Sequence, residues 1–371
     1  MSLVLVFCTT SAASAAAVAD VATGVAFGTA FGTAIGATIG RVFGPAGGVP
    51  VGTVVEPLGS SVLAWHAVRN PFEFVKPPEK IHPVTDCMQV TSEDGEFVFR
   101  KVAPVVSAPK HGRLIDILGS APSMEVCGLF FVTDPDKIVE VSVKHLDVNC
   151  DTGGLMSFVD GWELNGMYFP TEQDHPKGME QRVEEFCNDP KLWPYSPVRK
   201  AFRSSQNAAL VQYRIPISGS FVVSVRYLRN PDPCNVMAEG VAPYYTLRNH
   251  GKHRNCTLTA VFPAVISLVG IDVGGRKDGV NYDCDRPDST DRLDIGGSPG
   301  LDSSDMDKSA AVCGKSLDAG PEQAIFCEAS SVRLVSSGRH ANQAMVSVRM
   351  ADENDIPLAT VLCDMRRKKK K

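Results

Sequence analysis

From about residue 125 onward, apolar and polar positions alternate with a period of two. Val139, Val141 and Val143 alternate with Glu140, Ser142 and Lys144. Phe221, Val223, Val225 and Tyr227 alternate with Val222, Ser224 and Arg226, and Val346, Val348 and Met350 with Ser347 and Arg349. Successive side chains of a strand point to opposite faces, so each run predicts a strand with one face on a core and one in water. Asp134-Pro135-Asp136, Asn230-Pro231-Asp232-Pro233 and Gly296-Gly297-Ser298-Pro299 divide the runs with turn-forming residues. Helical spacing occurs only from Gly178 to Cys187, at Met179, Val183 and Phe186. Short strands with regular turns predict an all-β chain of sandwich type.

The same features come round twice. Cys150 is followed ten residues later by Asp160-Gly161, and Cys284 by Asp294-Ile295-Gly296. Phe186-Cys187 and Val312-Cys313 come next in each half. Arg203-Ser204-Ser205-Gln206-Asn207 then precedes a strand, as Val335-Ser336-Ser337-Gly338 does later. Two copies of one unit, divided near Asn230 to Pro233, account for this order.

The first eighty residues differ. Met1 to Gly48 hold two charged side chains, Asp20 and Arg41. Leu3 to Phe7 is a short apolar run followed by Ala13-Ser14-Ala15, the pattern of a cleaved leader covering residues 1–15. Between Val21 and Gly40 a glycine recurs every fourth residue, from Gly24 to Gly40. That stripe is either a Gly/Ala low-complexity stretch or a membrane-packing segment; the former is the reading adopted. Residues 16–80 are then low-complexity chain and linker, with Pro57, Pro71, Pro77 and Pro78 at the linker end.

Cysteine placement changes the picture most. Of 11 cysteines, Cys8 lies in the leader and ten are dispersed through the body. A thiolate zinc site needs close pairs such as C-x2-C, and the tightest gap here runs from Cys313 to Cys327. Disulfides in an oxidising compartment fit better. Asn255-Cys256-Thr257 is the one N-x-[ST] triplet and marks Asn255 as a glycosylation acceptor. The formal net charge is −5, but Arg366, Arg367 and Lys368 to Lys371 supply +6, so the body carries −11. A nucleic-acid-binding body is excluded on that balance. The tail 366–371 suits an acidic glycan or membrane, cleavage at basic pairs, or a plain flexible end.

Enzyme motifs fail on inspection. Gly314-Lys315-Ser316 would end a phosphate-binding loop, but Ser309 stands where its first glycine belongs. Gly296 to Gly300 fits the letters G-x-S-x-G, yet Pro299 lacks the N–H that the nucleophile elbow uses after its serine. Asp283, Asp285, Asp288, Asp291 and Asp294 form an acidic run broken by Pro287, read as a solvated turn rather than a Ca²⁺ loop. His250 and His253 read as a solvated loop beside Cys256. No cofactor and no catalytic residue is assigned. Trp162 is left open between an exposed peptide anchor and a core residue.

This order of features resembles the CUB domain, a disulfide-bonded β-sandwich, and more narrowly the corticotropin-releasing factor-binding protein family. The matching stretches are Asp160-Gly161-Trp162, Phe169-Pro170, Gln173-Asp174-His175-Pro176, Phe186-Cys187 and Arg203 to Asn207. Pro233-Cys234-Asn235-Val236, His253-Arg254-Asn255-Cys256 and Val332 to Gly338 complete them. The resemblance spans about Cys87 to Cys363. It implies two tandem CUB-like sandwiches (jelly-roll type) over 81–229 and 230–365, with consecutive pairing: Cys87–Cys127, Cys150–Cys187, Cys234–Cys256, Cys284–Cys313 and Cys327–Cys363. It also implies a glycan on Asn255. The function it implies is a secreted protein, free of the membrane once the leader is removed, that sequesters a corticotropin-releasing-factor-like or diuretic-hormone-like peptide from its receptor. An extracellular CUB scaffold or adhesion protein without hormone binding, free or membrane-tethered, is the alternative. The family's ligand site uses a basic residue four positions before its first cysteine and an acidic one two after it. Pro83 and Gln89 stand there in this chain, so that part of the site does not carry over and the groove residues stay unassigned.

Overall fold

The computed structural model describes residues 80–103, 124–188, 201–240, 244–275, 279–285, 290–318 and 320–363. The expected leader, the glycine stripe and the basic tail lie outside them.

The first sandwich holds β1 (Ile81–Pro83), β2 (Met88–Thr91), β3 (Gly95–Lys101), β4 (Cys127–Val132) and β5 (Lys137–Asp147). It continues with β6 (Leu155–Val159), the hairpin β7 (Trp162–Leu164) and β8 (Met167–Phe169), then β9 (Val183–Phe186), β10 (Ala201–Arg203), β11 (Ala208–Arg214) and β12 (Gly219–Arg229). One sheet runs β1-β3-β12-β5-β10 and the other β2-β4-β11-β6-β9. Their facing sides enclose Phe97, Val139, Val141, Val143, Phe131, Met156, Phe221, Val223 and Val225. The alternation at 139–143 and 221–225 is therefore the inward face of two strands paired antiparallel, Val223 opposite Val143 and Val225 opposite Val141.

The second sandwich holds β13 (Val236–Met237), β14 (Tyr244–Arg248), β15 (Cys256–Ala260), β16 (Ala264–Val273), β17 (Gly279–Asn281) and β18 (Arg292–Ser298). β19 (Asp307–Ser316), β20 (Gln323–Phe326), β21 (Ala329–Val335), β22 (Gln343–Met350) and β23 (Ala359–Leu362) complete it. β13-β15-β21-β18-β19 repeats the order of β2-β4-β11-β6-β9, including a parallel first pair. β14-β22-β16-β20 likewise repeats β3-β12-β5-β10. The internal repeat is thus a repeat of strand order.

Its register differs from the one the sequence suggests. Tyr213 pairs with Cys127 on one side and Met156 on the other, as Leu334 does with Cys256 and Leu293. Asp160 therefore matches Gly297, and Asp294 matches Ser157. Ser336 and Ser337 follow β21, whereas Ser204 and Ser205 precede its counterpart β11. The gap from Cys284 to its strand is longer than the gap from Cys150, which defeats counting from the cysteine.

Three further expectations are corrected. The helix forms only as a single turn, Met179–Arg182, because Val183 to Phe186 pair with Val159 to Met156 as β9. Gly296 and Gly297 lie inside β18 rather than in a turn. A Cβ on Gly297 would stand 2.6 Å from the Cys327 sulfur, so glycine marks close packing here. Met350 has core parity but, as the last residue of β22, is 66% exposed.

Candidate functional site

Five disulfides join Cys87–Cys127, Cys150–Cys187, Cys234–Cys256, Cys284–Cys313 and Cys327–Cys363, with Cα separations of 4.5 to 6.0 Å. The first and third each tie a residue one or two positions before a short parallel strand to the start of its partner, a consequence of the repeated strand order. In the unfolded chain each closes a loop of some tens of residues, worth about 3–4 kcal/mol in the entropy model.

The two sandwiches meet on the outer face of the sheet β2-β4-β11-β6-β9. That face is apolar: Phe130, Val132, Val159, Ala208 and Leu210 form a second cluster with Trp162 and Phe169 of the hairpin. Met237 and Leu301 of the second sandwich complete it. Asn207 clamps Met237 like a strand partner, its Nδ2 donating to the Met237 carbonyl at 2.9 Å and its Oδ1 accepting from the Met237 N–H at 2.8 Å.

Trp162 is thereby settled as a core residue. It is 6% exposed, packs edge-on to Phe130 at 5.2 Å, and donates its Nε1–H to the Phe131 carbonyl at 2.9 Å. Trp162→Phe should keep most of the packing and lose about 1 kcal/mol in denaturant unfolding. Unchanged stability would contradict the core assignment.

Two carboxylates fix the loop after the hairpin. Asp160 is 1% exposed and accepts from the Ser205 N–H (2.6 Å), Ser205 Oγ (2.8 Å), Gln206 Nε2 (2.9 Å) and Lys177 Nζ (2.6 Å). His175 Nε2 stands 3.3 Å away. Burial alone would raise the Asp160 pKa, but the His175, Lys177 and Ser205 contacts overcome it and hold the carboxyl well below the usual range. Gly161 follows at φ +112°, where a Cβ would meet the Phe169 carbonyl at 2.0 Å, so the chain can turn straight into the hairpin.

Asp174 crosses into the second sandwich. It accepts from Arg333 Nε (2.9 Å) and Nη2 (2.6 Å), Thr257 Oγ1 (2.6 Å) and Asn255 Nδ2 (3.0 Å). Asn235 Nδ2 donates to its carbonyl at 2.9 Å. The Gln173-Asp174-His175-Pro176 stretch is therefore a plug between sandwiches, a role no local pattern signals.

The remaining sequence candidates fall as follows. Asn255 is half-buried beside a cleft of about 310 Å³ lined by Gln173, Arg254 and His253. His250 rests against Asp232 and Pro233, and His253 is exposed. The acidic run divides: Asp283 and Asp285 are exposed, as a solvated turn requires, but its later members are not. Asp291 and Asp294 are buried: the first accepts from Ser337 and Asn342, the second from Arg292. Asp285 pairs with Lys308, and Asp288 lies outside the described residues. Ser298 donates to the Gly300 carbonyl from a buried position.

Pro83 ends β1 in one sheet, exposed, while Gln89 lies on β2 in the other. Gln89 pairs with Leu129 and shares its inward parity, and its Oε1 is enclosed without a hydrogen-bond partner. Its neighbours Met88 and Val90 project outward, 53% and 62% exposed. Among the described residues β2 pairs only with β4, so its other edge presents free backbone groups between two apolar side chains. Such an edge can add a strand or seat an apolar helix face. Sequence reading missed it because four residues carry too little alternation to register.

Comparison with known proteins adds the following. Residues 112–229 match the family model described as corticotropin-releasing factor binding protein N-terminal domain, and 236–357 the C-terminal domain model. The corticotropin-releasing factor-binding protein of Mus musculus is 29% identical over 281 residues, covering 74% of this chain and 78% of that protein. Those of Xenopus laevis (26%, covering 72% and 76%) and Homo sapiens (27%, covering 73% and 77%) are similar to the same extent. Among solved structures, the CUB1-EGF-CUB2 domains of rat MASP-1 align over 72% of this chain and 100% of that one. Identity there is 12% and the TM-score 0.21, too low to carry an argument.

Proposed function

The chain belongs to the corticotropin-releasing factor-binding protein family, and from that premise we propose that it binds a peptide of the corticotropin-releasing factor type. The observation that carries this is the ordered match of both family models, one to each sandwich. The exposed apolar edge of β2 supports the reading. A flexible peptide that orders on binding needs apolar anchors beside satisfiable backbone groups, and Met88, Val90 and the free edge offer both.

The finer parts of the reading are proposals of the same kind. The ligand is a diuretic-hormone-like member of that peptide group, held away from its receptor. The folding domains are 81–229 and 230–365. The protein is secreted, as five disulfides suit an oxidising compartment. No helix among the described residues is long and apolar enough to cross a membrane. Asn255 carries a glycan through the Nδ2 hydrogen that Asp174 does not engage.

Titration calorimetry of the secreted protein against corticotropin-releasing-factor-like and diuretic-hormone-like peptides tests the proposal. Saturable binding at or below about 1 μM is expected for at least one peptide, weakened at least about tenfold by Met88→Ser with Val90→Ser. Absence of heat and of competition with every peptide would favour the scaffold alternative.

A further inference from the structure

A cleft of about 270 Å³ opens at one end of the first sandwich, between its two sheets and beside the Cys87–Cys127 disulfide. Phe99 and Lys101 line it from β3, Tyr213 from β11 and Ile215 from the chain just after it. Asp86 and Glu125 line it from the segments that lead into the two cysteines. Glu125 leans over the disulfide, with a carboxylate oxygen within 4.8 Å of both sulfurs. Both acids are exposed, and neither has an ion-pair partner among the described residues. Asp86 accepts the Thr85 hydroxyl at 3.2 Å.

The wall of the cleft holds a polar group that the fold leaves unused. Tyr213 is 3% exposed, its ring packed against Phe99 at 4.8 Å and Phe221 at 5.0 Å. Buried tyrosines ordinarily bond their O–H, yet this hydroxyl has no hydrogen-bond partner among the described residues. Burial, followed by the charges of Glu125 and Asp86, pushes the Tyr213 pKa up to about 12. The hydroxyl therefore keeps its proton and lies in the field of both carboxylates. Lys101 does not neutralise them. Its ammonium donates to the Ile215 carbonyl at 2.6 Å and the Pro216 carbonyl at 3.3 Å, and pairs with neither acid.

Two unpaired acids at the mouth of an aromatic and aliphatic hollow fit a cation carried on an apolar stem. We propose that this cleft takes a basic side chain, arginine or lysine, of the peptide that docks at β2. The inference rests on the peptide reading above and adds to it a charge requirement on the ligand. The stem lies against Tyr213 and Ile215, while the cationic head donates to Asp86, Glu125 and the Tyr213 oxygen. The cleft is continuous with the β2 edge, since Asp86 precedes Met88 by two residues, about 7 Å of extended chain. Side chains of a strand added at that edge alternate between the two faces. A ligand that sets an apolar side chain on Met88 thus sends its neighbour inward, to the side on which the cleft opens. A bare Ca²⁺ fits less well, because it takes about six to eight oxygen ligands and these walls are largely apolar.

The test uses the secreted protein and the tightest binder among the corticotropin-releasing-factor-like and diuretic-hormone-like peptides, with one copy of that peptide for each of its Arg and Lys changed to Gln. In titration calorimetry, Asp86→Asn with Glu125→Gln should bind the parent peptide at least about fivefold more weakly. Its melting temperature should not change, because both acids are exposed. One peptide copy should lose as much against the parent protein and nothing further against the double variant, the signature of a direct pair. The gap between parent protein and variant should narrow as salt rises. Tyr213→Phe keeps the ring and should weaken binding about threefold. Equal binding of the parent peptide by both protein forms would overturn the pocket and leave the peptide reading intact. A loss shared evenly by all the basic copies would overturn it too, assigning the acids to general charge attraction. No binding by any peptide would overturn both readings.

Discussion

Asp174→Ala will lower the free energy of unfolding by about 3–5 kcal/mol, a drop of roughly 10 °C in melting temperature for a chain of this size. The substitution removes the acceptor of Arg333, Thr257 and Asn255 at once. Arg333 then stays in place with its side chain only 10% exposed and its charge uncompensated. Leaving one member of a buried ion pair unpaired costs more than the pair contributes, which is why the effect exceeds that of a surface bridge. Scanning calorimetry should also show the transition broaden or divide, because the plug that couples the sandwiches has gone. Asp174→Leu combined with Arg333→Met should recover a large part of the loss. Single Asp174→Ala melting within about 2 °C of the parent would contradict the assignment.

Asp160→Asn comes second in size, at about 3 kcal/mol near neutral pH, and carries a pH signature. The Asp160 pKa is depressed in the folded state by His175, Lys177 and Ser205, against its burial. A depressed carboxylate stabilises the fold fully above its unfolded value near 4, and that contribution is lost as pH falls toward the folded value. The parent protein should therefore lose stability between about pH 5 and pH 3 more steeply than Asp160→Asn. Denaturant unfolding at pH 7, 5, 4 and 3 checks this; parallel curves would rule out Asp160 as the acid-sensitive group.

Much of the fold was legible because a sandwich writes itself in local alternation. Val139 to Val143 and Phe221 to Val225 sit on inward faces in the strands their pattern marks. The cysteines and Pro233-Cys234-Asn235-Val236 carried the family and its pairing by resemblance rather than by geometry. Where local pattern and tertiary context conflict, context won. Val183 and Phe186 have helical spacing, yet the open edge of β6 and the Phe202 ring draw them into a strand. Gly296-Gly297 reads as a turn and is a strand pressed against a disulfide.

The candidate site was less legible still. Gln89 was singled out by its place after Cys87, whereas the proposed site uses its neighbours Met88 and Val90, exposed on an edge that pairs with no other strand among the described residues. Trp162 could be anchor or core until Met237 and Leu301, about 75 and 140 residues further on, were seen to close over its cluster.

By itself the sequence determined the class: an all-β, disulfide-rich chain of two like units, acidic in its body and basic at residues 366–371. Periodicity, cysteine placement and charge are properties of neighbours along the chain, and these need no partner to be read. The tertiary structure alone decided that the two units share an interface, with Asp174 as a fixed charge across it and Asp160 pinning the loop that carries Asp174. It also decided which apolar side chains remain in water. Those outcomes depend on donors and surfaces brought together from distant segments, and a carboxylate's meaning changes entirely with what encloses it.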